Sequence, residues 1–184
     1  MTSGALGASG PSGLAVVEVG DGDIRRAFGR LAAGVTVITA RSGLRMHGMT
    51  CSAFSRVSQE PPLVLTAIRC TARLLELLDD QGVFAASVLS EEQESVARWF
   101  ANPNRPAGHD QFAGVGWVTA PVSGCPLLRG SLAFIDCQVH CTYPAGDHVI
   151  VVGRVLALGW ADAGGPLMHF RGSFHGLSPD PLSP

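Results

Sequence analysis

The chain has 184 residues, 46% hydrophobic and 15% charged, the profile of one ordinary globular domain rather than a disordered chain. A formal net charge of -2 offers nucleic acid or an anionic membrane no general attraction. All 13 cationic side chains are arginine, which excludes a Walker A lysine, a lysine Schiff base and the Ser-x-x-Lys hydrolases. Residues 1–20, rich in Gly, Ala and Ser, read as a flexible tail, followed by one domain over 21–178 and a short tail over 179–184. A helix is predicted after Asp23, with Ile24, Ala27, Phe28 and Leu31 on one face and Gly34 ending it. The β-branched run Val35–Ala40 predicts a strand that Arg41-Ser42-Gly43 turns back, with 46–57 as the returning strand. Pro61-Pro62 breaks the chain before another apolar strand, Leu63–Ile68.

Leu74, Leu75, Leu77 and Leu78 recur at helical spacing, with Gly82 where a C-terminal cap belongs. After a strand over 83–89, Ser90-Glu91-Glu92-Gln93 reads as a capping box opening a helix that ends at Asn102-Pro103. Residues 102–111 read as a loop. The rest is β, over about 115–119, 131–143, 147–160 and 167–175, with 143–147 as a turn. Many closely spaced strands with few, short helices predict a mainly β fold, a barrel of antiparallel strands.

Several motifs fail on inspection. Gly20-Asp21-Gly22 has Arg25 at the third glycine position of a dinucleotide-binding turn, and no βαβ unit follows. Cys137-Gln138-Val139-His140-Cys141 lacks a second ligand pair, and alternation puts Cys137, Val139 and Cys141 on one strand face as small hydrophobes, so no metal site is expected. His-Glu-x-x-His and Gly-x-Ser-x-Gly are both absent. Five cysteines form no secreted disulfide framework. No stretch has the length of a membrane span or the pattern of a signal peptide, so the expectation is a soluble, reduced, cytoplasmic protein.

The segment Gly48-Met49-Thr50-Cys51-Ser52-Ala53-Phe54-Ser55-Arg56-Val57-Ser58-Gln59-Glu60-Pro61-Pro62 carries the most information. Small residues let a flat ligand approach the backbone, and hydroxyls supply neutral donors; an edge strand with a polar outer face explains the same composition. This segment resembles the flavin-binding strand and loop of the short-chain flavin reductases, the reductase components of two-component flavin monooxygenases. The similarity continues in order through Gly34–Thr39, Phe84–Ser90, Phe112–Val115, Pro126–Leu128, Gly146-Asp147-His148, Gly153–Val155 and Pro166–Gly172.

The resemblance implies an FMN-binding split β-barrel that reduces FAD, or FMN as second choice, with NADH, or NADPH as second choice. It also implies a homodimer that supplies diffusible reduced flavin to a partner monooxygenase. Arginine-only cations with abundant Ala and Gly suggest a GC-rich genome, in which such reductases serve natural-product pathways. The alternatives are a split-barrel oxidase that keeps its flavin, or a non-catalytic flavin or haem carrier. By position, the resemblance puts Met49, Thr50, Cys51 and Ser52 along the flavin ring, largely through backbone. It puts Ser55, Val57 and Ser58 beside the ring edge and ribityl chain, and the 67–74 segment (Ala67, Ile68, Arg69, Thr71, Arg73) at the phosphate. His148 matches the histidine near the nicotinamide, with a supporting catalytic role. Phe170, Arg171 and Phe174 match the strand that shapes the nucleotide site. The family's Ser-x-Thr phosphate grip falls in register on Ala72 and Leu74, which have no side-chain donors, so Arg69, Thr71 and Arg73 are the expected substitutes.

Overall fold

The structure is a computed structural model and describes residues 19–177. The expected tails lie outside the described residues, except for Val19 and Gly20. Helix α1 (Asp21–Phe28) is followed by strands β1 (Ala33–Gly34), β2 (Thr36–Ser42), β3 (Arg45–Cys51), β4 (Phe54–Gln59) and β5 (Pro62–Arg69). Helix α2 (Arg73–Gln81) and β6 (Val83–Val88) lead through one 3₁₀ turn, Glu91–Gln93, into α3 (Glu94–Ala101). A second 3₁₀ segment, Gly108–Phe112, precedes β7 (Trp117–Thr119), β8 (Pro126–Leu128), β9 (Ala133–Ala145), β10 (His148–Trp160), β11 (Leu167–Phe170) and β12 (Ser173–Gly176). Among the described residues, no helix is long and apolar enough to cross a membrane.

Seven antiparallel strands form the main sheet in the order β3-β2-β6-β9-β10-β5-β4. Its two outermost strands, β3 and β4, are joined by only Ser52 and Ala53. Three Cα steps reach at most about 11 Å, so the sheet must curl until its edges lie together, which makes it a barrel. The seam is fastened where Ala67 N–H donates to the Ala53 carbonyl at 3.1 Å. Nearby, the Cys51 thiol and Thr66 hydroxyl meet at 3.2 Å. The long β9–β10 ribbon carries register shifts at Val152/Gly153 and Val155/Ala157, which add the bend that curling requires. Gly153 sits at one of them, where a Cβ would lie 2.7 Å from Cε1 of the buried Phe84 ring. Only glycine lets the two pack.

The barrel interior is filled by Ile38, Ala40, Cys51, Val64, Ile68, Phe84, Cys137 and Val151, and Leu74, Leu77 and Leu78 of α2 pack against it. Gly82 ends α2 in the left-handed conformation at φ 64°, with its N–H on the Leu78 carbonyl at 2.7 Å. Outside the barrel, Val35 and Val37 pack with Leu89, Ala97 and Phe100 of the α3 region. Strand β2 is therefore covered on both faces, which explains its near-continuous apolar run. The Ser90–Gln93 capping box forms as expected, with Ser90 N–H on Gln93 Oε1 at 3.1 Å. Cys137 is buried and Val139 packs beside it against the barrel core. The register shift at Val152/Gly153 turns Cys141 to the other face, where its thiol meets the Tyr143 hydroxyl at 3.5 Å. The one face expected for Cys137, Val139 and Cys141 therefore holds only for the first two.

Several boundaries differ from the sequence expectation. The single strand expected over 46–57 is two strands, because Ser52 and Ala53 cross from one sheet edge to the other. Strand β8 has only three residues and begins at Pro126, so no periodicity announced it. The strand expected over 167–175 is a hairpin, reversed at Arg171 (φ 53°) and Gly172 (φ 81°). Gly34 does not end a helix but pairs with Met168 in a separate three-stranded sheet. Helix α1 stops at Phe28, and Phe28 (68%) and Leu31 (69%) are exposed among the described residues.

Candidate functional site

Beside the barrel seam lies a cleft of about 360 Å³, lined by His47, Met49, Thr50, Thr71, Ala72, Arg73, Phe100, Ala101, Pro103, Arg105 and Pro106. Three parts of the chain build it: strand β3, the entrance to α2, and the end of α3 with its following loop. Strand β3 is pinned to α3 by Thr50, whose hydroxyl donates to the Ala97 carbonyl at 2.7 Å. That leaves the Thr50 oxygen as an acceptor only. At Gly48 a Cβ would come within 2.8 Å of the Phe100 ring, so glycine is what lets Phe100 press against the strand backbone.

The loop after α3 is held by Gln111, which is fully buried. Its amide N–H groups donate to the carbonyls of Met46 at 3.0 Å and Gly108 at 2.9 Å. Its Oε1 accepts from Gly48 N–H at 2.9 Å. Trp99 Nε1–H adds a bond to the Gln111 carbonyl at 2.7 Å. These bonds fix Arg105, which enters the cleft over the Phe100 ring at 6.0 Å. The Arg105 guanidinium donates to the Asn102 carbonyl at 2.7 Å, to the Gly48 carbonyl, and to His47 Nε2 at 3.0 Å. Its Nε is buried without a hydrogen-bond partner.

The electrostatics are one-sided. Burial, then the charges of Arg105 and Arg73, push the His47 imidazole down to about 4. Burial and the Arg73 charge also lower Arg105. Among the described residues, neither Arg73 nor Arg105 has a carboxylate partner; the ion pairs are Arg45–Asp80, Arg69–Asp147, Arg98–Glu94 and His148–Asp147. Two uncompensated guanidiniums converging on one cleft, one with an orphan N–H, fit an anionic ligand. Alongside, Ser52 and Ala53 are exposed and carry little side chain, so the crossing offers nearly bare backbone to a flat group.

Of the residues singled out in the sequence, Met49, Thr50, Thr71 and Arg73 are gathered in this cleft. Cys51 and Ile68 have core side chains, which leaves only their backbone to meet a ligand, and Ala67 is engaged through its N–H at the seam. Burial holds the Cys51 thiol above its ordinary value, which disfavours the thiolate that nucleophilic attack needs. Ser55 and Val57 are exposed on β4, and Ser58 lines a separate groove of about 300 Å³ with Phe54, Leu63 and Leu158. Leu74 is completely buried. Thr71, Ala72 and Arg73 line the cleft, so the polar side chains available there are Thr71 and Arg73, two of the three expected substitutes for the missing hydroxyl pair at Ala72 and Leu74.

Arg69 turns away to Asp147 at 3.6 Å. His148 opens β10 opposite Arg69, and its Nδ1 meets Asp147 Oδ1 at 2.7 Å. That bond, then the charges of His148 and Arg69, hold the Asp147 carboxyl below its ordinary value. The Cys70 N–H, on the Asp147 carbonyl at 2.9 Å, ties this cluster to the chain entering the cleft. Phe170, Arg171 and Phe174 sit on the β11–β12 hairpin and do not line the cleft. There Arg171 stacks on Phe170 at 5.6 Å, and Phe174 lies under Arg98 at 5.1 Å.

The sequence reading missed His47, Phe100 and Arg105. Strand alternation puts His47 on the face of Met49 and was a usable signal. Arg105 lies in a loop whose destination no local pattern reveals.

Residues 28–178 match the family model described as a flavin reductase like domain. The chain is 42% identical over 158 residues to the NADH-dependent FAD reductase of Streptomyces globisporus, covering 85% of this chain and 86% of that one. It is 35% identical over 176 residues to the reductase subunit of a flavin-dependent monooxygenase from Rhodococcus jostii, covering 96% and 88%. Among solved structures, the flavin reductase component of a bacterial two-component tryptophan halogenase superposes with a TM-score of 0.83 at 38% identity, covering 88% of this chain and 100% of that one. With its barrel, its bare crossing and its cationic cleft, the chain belongs to the flavin reductase family.

Proposed function

We propose that this chain, as one domain over 21–178, is an NADH:flavin oxidoreductase that reduces FAD, or FMN in second place, and releases the reduced flavin to a partner monooxygenase. The observation that carries this reading is the juxtaposition of bare backbone at Ser52–Ala53 with a cleft holding uncompensated arginines. One surface suits a flat ring and the other its phosphate. The relatives' activities agree, one being an NADH-dependent FAD reductase and another a monooxygenase reductase subunit. When bound, the flavin supplies a ring able to accept a hydride from reduced nicotinamide. The protein's work is to bind, orient and exclude water.

In this reading Met49, Thr50, Cys51 and Ser52 border the ring, Ser55, Val57 and Ser58 flank its edge, and Ala67 and Ile68 contribute backbone. Thr71 and Arg73 hold the phosphate, and Arg69 acts instead on His148 through Asp147. With its carboxyl ionised, Asp147 accepts from His148 Nδ1–H, which leaves Nε2 to meet the nicotinamide carboxamide or to stabilise charge on the reduced ring. Phe170, Arg171 and Phe174 would serve the dinucleotide from the neighbouring hairpin. A homodimer is part of the proposal, supported by the uncovered apolar residues of α1 and β10. So is action in the cytoplasm, where NADH is held.

The test is oxidation of NADH and NADPH at 340 nm with FAD or FMN added separately. The expected result is turnover that saturates with free flavin, fastest with NADH and FAD. No oxidation under any pairing would overturn the reductase reading and return the chain to a carrier.

A further inference from the structure

We propose that Arg105, held in place by His47, is a second phosphate-gripping arm of the flavin site, acting with Thr71 and Arg73 where the hydroxyl pair is missing. The inference rests on the reductase reading and adds two residues to it. Three observations carry it. Arg105 reaches the cleft from a loop that is itself clamped by Gln111, so the guanidinium is pre-positioned rather than free. Its protein partners are all neutral, namely two backbone carbonyls and an imidazole nitrogen. The positive charge is therefore oriented but not neutralised, and Nε stands buried without a partner. Arg73 lines the same cleft and forms no ion pair among the described residues.

The half-buried Arg105 and the exposed Arg73 line one cleft and repel until an anion arrives. A phosphate between them gains charge-assisted, bidentate bonds and removes that repulsion. His47 serves as a positioning residue. An arginine only donates, so His47 Nε2 must accept, which requires a neutral ring with its proton on Nδ1. The depressed basicity of His47 agrees with that assignment.

The test measures dissociation constants of the purified full-length protein for riboflavin, FMN and FAD by flavin fluorescence, at low and high salt. Removing one charge-assisted phosphate contact in Arg105→Gln is expected to weaken FMN and FAD about tenfold or more, while riboflavin moves less than twofold. The salt dependence of FMN and FAD binding should flatten with it. His47→Gln, which keeps an acceptor for Arg105, should retain most of the nucleotide preference, and His47→Leu should lose it. Equal weakening of all three flavins would overturn the proposal in favour of a packing role, and unchanged FMN and FAD binding would overturn it outright. Failure of the wild type to bind riboflavin or FAD at all would instead overturn the reductase reading beneath it.

Discussion

His47 occupies a position where acid stability and ligand geometry meet. Its ordinary value is 6.5, and the folded protein holds it near 4. Below about pH 6.5 the unfolded chain takes up a proton that the folded chain refuses, so acidification favours unfolding through this group. The loss accumulates as pH falls from about 6.5 to about 4 and ends once both states are protonated. His47→Gln carries no titrating ring and should show a shallower decline of melting temperature across that window. Parallel declines for variant and wild type would show that the ring is not shielded as described. Asp147 acts in the same sense, since its carboxyl is also held below its ordinary value, but its contribution is lost only in more acidic solution, as pH falls through the carboxylate range.

At the scale of elements, the cleft depends on a loop that has almost no secondary structure of its own. Phe100 and Phe112 pack at 5.4 Å, and Phe112 meets Trp117 at 6.0 Å, which gives the loop an apolar root. Gln111 supplies the polar half by satisfying two carbonyls and one N–H of neighbouring backbone. Truncating it in Gln111→Ala strands these groups in the interior, at about 1–3 kcal/mol for each one left unmade. The expected result is a melting temperature lowered by several degrees and weaker FMN and FAD binding, because Arg105 loses its fixed approach. A variant as stable as the wild type would mean that water replaces the amide at no cost.

Across the whole molecule, the C-terminal end of β10 is unusual. Past the bulge at Val155/Ala157, Leu158 (56%) and Trp160 (73%) share one face and both are exposed, whereas the solvent face of an antiparallel strand is ordinarily polar. With Phe28 and Leu31 of the α1 region also uncovered, the chain has apolar surface that a second copy would bury. Light scattering on the eluting protein should give roughly double the 19.1 kDa of one chain. The double substitution of Leu158→Glu and Trp160→Glu should shift it to the monomer. A wild-type mass of one chain at micromolar concentration would exclude the dimer.

The amino-acid sequence by itself determined every element that rests on local physics. Leucine spacing and Gly82 delimited α2, Ser90 and Gln93 capped the turn before α3, and β-branched runs marked β2 and β5. The order of motifs along the chain identified the family, and with it the strand around Met49–Ser52 that the proposed function sets against the flavin. Tertiary structure alone decided that 46–57 is cut in two, because a strand changes neighbours only where the whole sheet closes. It likewise decided that, of the expected Arg69, Thr71 and Arg73, only Thr71 and Arg73 reach the cleft, beside Ala72, while Arg69 pairs with Asp147 and Leu74 is buried, since which side of a helix entrance is buried depends on what packs beneath it. Arg105 is the clearest case. A guanidinium acquires a binding role from the groups that surround it, and His47, Gly48 and Arg73 reach it from 58, 57 and 32 positions away in the chain. No local pattern contains that information, because the field that one charge exerts on another depends on distance in space.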